Sequence, residues 1–117
     1  MNISPKLQVK FFRSDSGREY VREWLLGLAK EDKKAIGEEI KLVQFGWPIG
    51  MPLVRKMESG MWEIRIALAK RIARIFFTVI DDSIILVHGF IKKTQKTPEK
   101  ELKTARNRIK MIKEELR

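Results

Sequence analysis

MWEIRIALAKRIARIFFTVIDDSIILVHGFIKKTQKTP, residues Met61–Pro98, decides the fold. Trp62, Ile64 and Ile66 alternate with Glu63 and Arg65, the two-residue period of a strand with one buried face. Ala73, Ile75, Phe77 and Val79 then alternate with Arg74, Phe76 and Thr78. Asp81-Asp82-Ser83 is a tight turn into a third run, Ile84–Ile91. Short turns between consecutive strands make antiparallel pairing the economical arrangement. In the third run Ile84, Leu86, His88, Phe90 and Lys92 fall on one side, with Ile85, Val87, Gly89 and Ile91 on the other. Both sides begin apolar, which predicts a central strand. The side that ends in His88 and Lys92 is assigned to the face of Arg65 and Arg74.

Outward from this sheet, Leu7–Phe12 is an opening strand behind Pro5. Ser16-Gly17-Arg18-Glu19 has capping-box spacing and predicts a helix carrying Val21, Trp24, Leu25 and Leu28 on one side. A second helix over 31–45 buries Ile36, Ile40 and Val43 and stops at Gly46. The short link between them predicts an antiparallel helical hairpin. Residues 46–60 are a loop with a short strand near 53–57 and a turn at Ser59-Gly60. Thr97 as N-cap and Pro98 at the first helical position open a last helix, with Leu102, Ala105, Ile109, Ile112 and Leu116 as its apolar stripe. The fold class is therefore α+β, a single domain over residues 1–117. Its antiparallel sheet has helices mainly on one face and a cleft on the other.

The charge narrows the partners. Lys and Arg number 25 against 15 Asp and Glu, a formal +10, and residues 92–117 hold ten of the basic side chains against four acidic ones. Such an excess favours a polyanion. The lack of cysteine excludes disulfides and thiolate metal sites; with one histidine no structural zinc site is expected, nor any cofactor. No apolar run is long enough to span a bilayer and the first residues lack a signal pattern, so no membrane partner is expected and a cytoplasmic location is.

The residues on the basic face have a chemistry in common. Arginine grips phosphate with a planar fork, and a strand holds that fork rigid. Arg65 and Arg74 can therefore stabilise the charge that builds on a phosphodiester during cleavage. RNA supplies its own nucleophile in the 2′-hydroxyl, which leaves the protein to manage two protons. His88 is the one side chain here that titrates near neutrality, and a lysine among arginines has a depressed pKa, which brings in Lys92 and Lys93. Glu63 is either a base or the ion-pair partner of Arg65. Arg55, Lys56, Thr94 and Lys96 are candidate RNA contacts, and Phe90 a candidate stacking surface. The apolar strand around His88 favours burial, with Gly89 giving room for a neighbouring backbone, whereas Lys92 lies nearer solvent. Lys92 is thus expected to matter more to the chemistry.

Met61-Trp62-Glu63-Ile64-Arg65, Arg74-Ile75-Phe76-Phe77 and the run Leu86–Pro98 (LVHGFIKKTQKTP) together resemble the phage-derived branch of the HigB toxins in the RelE/ParE superfamily. The resemblance covers nearly the whole chain, most strongly residues 54–109. It implies a RelE-like fold and the toxin of a type II toxin–antitoxin pair. It further implies a metal-independent, ribosome-dependent mRNA endonuclease, or mRNA interferase, that inhibits translation. The expected partners are the ribosome, mRNA and a HigA-like antitoxin with a helix-turn-helix domain. Arg65 and Arg74 match the family's basic sheet positions, and Lys92 and Lys93 its lysine pair. RelE uses a tyrosine near its C-terminus, whereas the only tyrosine here is Tyr20, so the general acid differs. The rival readings are a ParE-like toxin that targets gyrase and a non-catalytic RNA- or DNA-binding module.

Overall fold

A computed structural model describes residues 6–116, so Pro5 lies outside the described residues. The elements follow in the order β1 (Gln8–Phe11), α1 (Tyr20–Leu26), α2 (Lys30–Gly46), β2 (Val54–Glu58), β3 (Met61–Ala67), β4 (Ile72–Ile80), β5 (Ser83–Lys92) and α3 (Glu99–Glu115). The five strands form one sheet in the order β1-β5-β4-β3-β2. Strands β2 to β5 pair antiparallel, as short hairpins require, with Gly60 at φ 79° in the β2–β3 turn and Asp81 at φ 53° in the β4–β5 turn. Strand β1 pairs with β5 in parallel, so the sheet is mixed where an antiparallel one is expected. A chain segment that reaches the sheet through two helices is not bound by the hairpin rule.

One face carries the larger core. Ile64, Ile66, Ala73, Ile75, Phe77, Ile84 and Leu86 pack there with Val21 of α1 and with Ile36 and Val43 of α2. Trp24, Leu25, Leu28 and Ile40 complete it, as their spacing predicts. The two N-terminal helices use the sheet as their common floor, α1 over β5 and β1, α2 over β3. The predicted capping box does not form. Helix α1 starts after Glu19 with no side-chain cap, and the Ser14 hydroxyl accepts from the Arg18 N–H in the preceding turn. Helix α3 likewise starts after Pro98, and the Thr97 cap is replaced by a turn in which Thr94 Oγ1 donates to the Lys96 carbonyl.

The second face holds a smaller core of Phe12, Met61, Phe76, Val87, Phe90, Ala105 and Ile109, with Leu102 and Ile112 alongside. Here α3 lies across β5 and β4, so helices cover both faces and only part of the second face stays open. Leu116, predicted to join the stripe, is exposed. A register shift sits opposite Phe76 and Phe77: Phe76 pairs with His88 but Phe77 with Leu86. Two residues of β5, Val87 and His88, therefore oppose one interval on β4, a bulge that reverses the alternation. Ile84 and Leu86 thus lie in the larger core with α1 and α2, while His88, Phe90 and Lys92 lie on the α3 face. The single continuous face expected for Ile84 through Lys92 is split at this point.

Candidate active site

Strand register sets out the second face as a grid. Glu63 pairs with Phe76 and Phe76 with His88; Arg65 with Arg74 and Arg74 with Phe90; Ala67 with Ile72 and Ile72 with Lys92. Arg55 extends the first row beside Glu63. Because side chains alternate across a strand, Lys56, opposite Trp62, belongs to the other face. It is thereby removed from the predicted set of contacts, and Arg55 is kept.

At the open end of the grid Arg65, Ile72, Arg74, Lys92, Lys93, Thr94 and Gln95 line a cleft of about 360 Å³. Arg74 is only 5% exposed, and Glu63, at 2%, lies under the arginines and is not part of the cleft lining. Glu63 Oε1 stands 3.6 Å from Arg74 Nε and 3.9 Å from Arg65 Nε. Arg74 Nη1 donates to the Ala73 carbonyl at 3.0 Å, which anchors the fork against its own strand. Arg65 Nη1 touches only the Met51 sulfur, a weak acceptor. Glu63 Oε2 and Arg74 Nε are buried without a hydrogen-bond partner. The arrangement is one buried carboxylate close to two guanidiniums that line a cleft with Lys92 and Lys93, a positive excess whose charge suits an anion.

The local field also acts on Lys92. Burial, then the charge of Arg74, lowers its pKa; Glu63 opposes them, and Arg65 and Arg55 add lesser lowering pulls. Arg74 is itself lowered, first by burial, yet a guanidinium stays protonated. The expectation of a softened lysine among arginines therefore holds for Lys92.

His88 occupies the closed end, under α3. Arg108 Nη1 donates to the Val87 carbonyl at 2.7 Å and lies 3.3 Å from His88 Nδ1. A guanidinium only donates, so Nδ1 accepts and the ring proton sits on Nε2. Nε2 faces Glu101 Oε1 at 3.4 Å, without hydrogen-bond geometry. Burial lowers the imidazole pKa; Glu101 works against this and Arg108 with it. The ring stacks on Phe90 at 5.6 Å, and Phe90 packs on Phe76 at 5.4 Å. Phe90 is 7% exposed, so the predicted stacking surface for bases is instead part of the second core. The room beside Gly89 is taken by a side chain rather than by backbone: a Cβ there would sit 2.5 Å from the Trp24 ring. Trp24 of α1 and Arg108 of α3 thus clamp β5 from its two faces.

Thr94 lines the cleft, while Lys96 is exposed outside its lining. Spacing alone does not single out Arg108, Glu101, Ile72 and Gln95 as site residues. Glu101 and Arg108 did carry a signal, being seven residues apart and so on the same side of α3 as Leu102, Ala105 and Ile109. Among the described residues no three His, Cys, Asp or Glu side chains gather as metal ligands would, and no helix is long and apolar enough to cross a membrane.

Fold and site together define a small, basic α+β protein that presents a fixed arginine pair on an open part of its sheet. Residues 23–110 match the family model described as phage derived protein Gp49-like (DUF891), and the chain belongs to that family. No curated protein matches it.

Proposed function

We propose that this Gp49-like chain is the toxin of a type II toxin–antitoxin system and cleaves mRNA on the ribosome. Its likeness to HigB toxins of the RelE superfamily supports the class. The observation that carries the chemistry is the Arg65–Arg74 pair, held close to buried Glu63 and lining a cleft that Lys92 also lines. In this reading the two arginines bind the scissile phosphate and stabilise its extra charge as the 2′ oxygen attacks. Lys92, with its lowered pKa, takes the proton from the 2′-hydroxyl. The 2′-oxygen-to-phosphorus bond forms, the bond to the 5′ oxygen breaks, and that oxygen leaves with a proton from water. Glu63 orients the arginines, and His88 holds β5 to α3.

No strong acid lines the cleft, so the ribosome must supply the alignment of the message. The test is induced expression with mapping of mRNA 5′ ends. Cuts confined to translated messages, absent with Arg65→Ala, support the proposal. Intact messages together with gyrase-linked DNA damage would replace it with the gyrase reading. The neutralising partner in this proposal is a helix-turn-helix antitoxin of the HigA kind.

A further inference from the structure

The arginine pair has a second cleft on its other side. It measures about 450 Å³ and shares Arg65, Ile72 and Arg74 with the first. Its character is different. The first cleft is lined by lysines and polar groups, the second by apolar surface that includes Leu53 and Ile66, with Glu39 of α2 as its one acidic group. Ile72 stands between them and is 45% exposed, one of few large apolar side chains left open to solvent. A basic recess joined through two arginines to an apolar recess has the polarity of a nucleotide, phosphate at one end and base at the other.

We propose that this second cleft is a base-binding subsite and that Glu39 makes it select guanine. The inference rests on the reading of the neighbouring cleft as the one that holds an RNA phosphate. Ile72 and Leu53 offer aliphatic contact to the face of a base, and such contact carries no donor or acceptor to tell one base from another. Discrimination therefore falls to Glu39. An ionised carboxylate has two acceptor oxygens and no donor. Guanine presents two neighbouring donors, N1–H and N2–H, that meet both oxygens at once. Adenine and cytosine offer an amino group beside an acceptor that the carboxylate repels, and uracil offers one donor between two carbonyls. Paired contacts of this kind separate one base from another by on the order of ten-fold or more.

The test uses the four nucleoside 5′-monophosphates as probes, titrated into the labelled full chain and followed by methyl resonances of Leu53, Ile66 and Ile72. Guanosine monophosphate is expected to shift all three methyls and to bind on the order of ten-fold more tightly than uridine monophosphate. Glu39→Gln should bring the two close to parity. Equal affinities for all four nucleotides, or shifts that miss the three methyls, overturn the assignment. The titration needs no ribosome, so its result is separate from that of 5′-end mapping. Guanine preference without any mRNA cleavage would keep the subsite and discard the endonuclease. Cleavage with no guanine preference at the cut, and none in the titration, would do the reverse.

Discussion

The α3 face of the sheet has two halves built from the same kinds of residue. In the closed half, His88, Phe76 and Phe90 lie under α3, and the polar atoms of His88 meet Arg108 and Glu101. In the open half, Arg65, Arg74 and Lys92 line a cleft, and Glu63, the ion-pair partner of both arginines, is buried. Each half has an acid and an arginine, yet one is a joint and the other a receptor. The difference lies in what covers them. His88 Nε2 and Arg74 Nε are both buried without a hydrogen-bond partner, so the halves differ in their surroundings: α3 packs over the aromatic residues of the closed half, and the cations Arg65, Arg74 and Lys92 line one cleft in the open half.

The largest effect expected from breaking this contrast is at Phe76, fully buried in the row between Glu63 and His88. Phe76→Ala should cost about 3–5 kcal/mol in urea unfolding. A loss under about 1 kcal/mol would show that the closed half is not a core.

Next comes the arginine pair. Arg65→Ala and Arg74→Ala should each remove roughly 2–4 kcal/mol of transition-state stabilisation, read as the cleavage rate on ribosome-bound message. Their stabilities should differ. Arg65 is about a third exposed and its loss should be nearly silent, whereas losing buried Arg74 strips Glu63 of its nearer partner. Adding Glu63→Gln to Arg74→Ala should restore stability and leave cleavage lost. If the double variant is as unstable as the single, Glu63 is not the buried anion that the pair balances.

Lys92 sharpens the contrast through pH. Lys92→Ala should lose most of the cleavage without unfolding. The wild-type rate should rise with pH as Lys92 loses its proton, and earlier than for an ordinary lysine because its pKa is lowered. Arg65→Ala removes one of the charges that lower it, so the residual activity should shift to higher pH. An unchanged profile would remove Lys92 from the proton transfer.

The smallest effect belongs to His88. His88→Gln keeps one acceptor and one donor, so it should retain much of the cleavage and lose about 1 kcal/mol of stability. Its pKa is lower in the folded than in the unfolded chain. The unfolded chain then binds the proton first, and stability is full above the ordinary histidine pKa and falls as pH drops through it toward the folded value. The variant should lack this dependence in denaturation series across that range. Should His88→Gln abolish cleavage and Lys92→Ala spare it, the roles of the two halves are exchanged.

Much of this was legible without the structure, for a local reason. Within an unbroken strand the side chains alternate, so Glu63 and Arg65 could be set against Ile64 and Ile66, and Arg74 against Ile75, from the period alone. The helical stripes of α1 and α2 followed from their spacing in the same way. Lys92 among the arginines followed from the faces once those were assigned. What depends on a neighbour is not legible in this way. Adjacency pairs Lys56 with Arg55 although successive residues point apart. Alternation sets Phe90 beside the basic residues without deciding between stacking on a base and packing in a core, because nothing in its own strand says that α3 lies over it.

The sequence by itself determined the α+β class, the strands and helices, and which residues of β3 and β4 are excluded from the larger core, because burial of an apolar face imposes a period that each unbroken segment carries alone. Only the tertiary structure decided the rest. The bulge at Val87–His88 exists only in the pairing of β5 with β4, where one extra residue reverses the face of everything before it. The parallel seat of β1, the Trp24 ring against Gly89, and the half of the sheet that α3 leaves uncovered are likewise contacts between distant segments. Those contacts leave Arg65 and Lys92 partly exposed along a cleft and bury Arg74 in its wall, because a side chain's access depends on what packs above it and not on its own place in the chain.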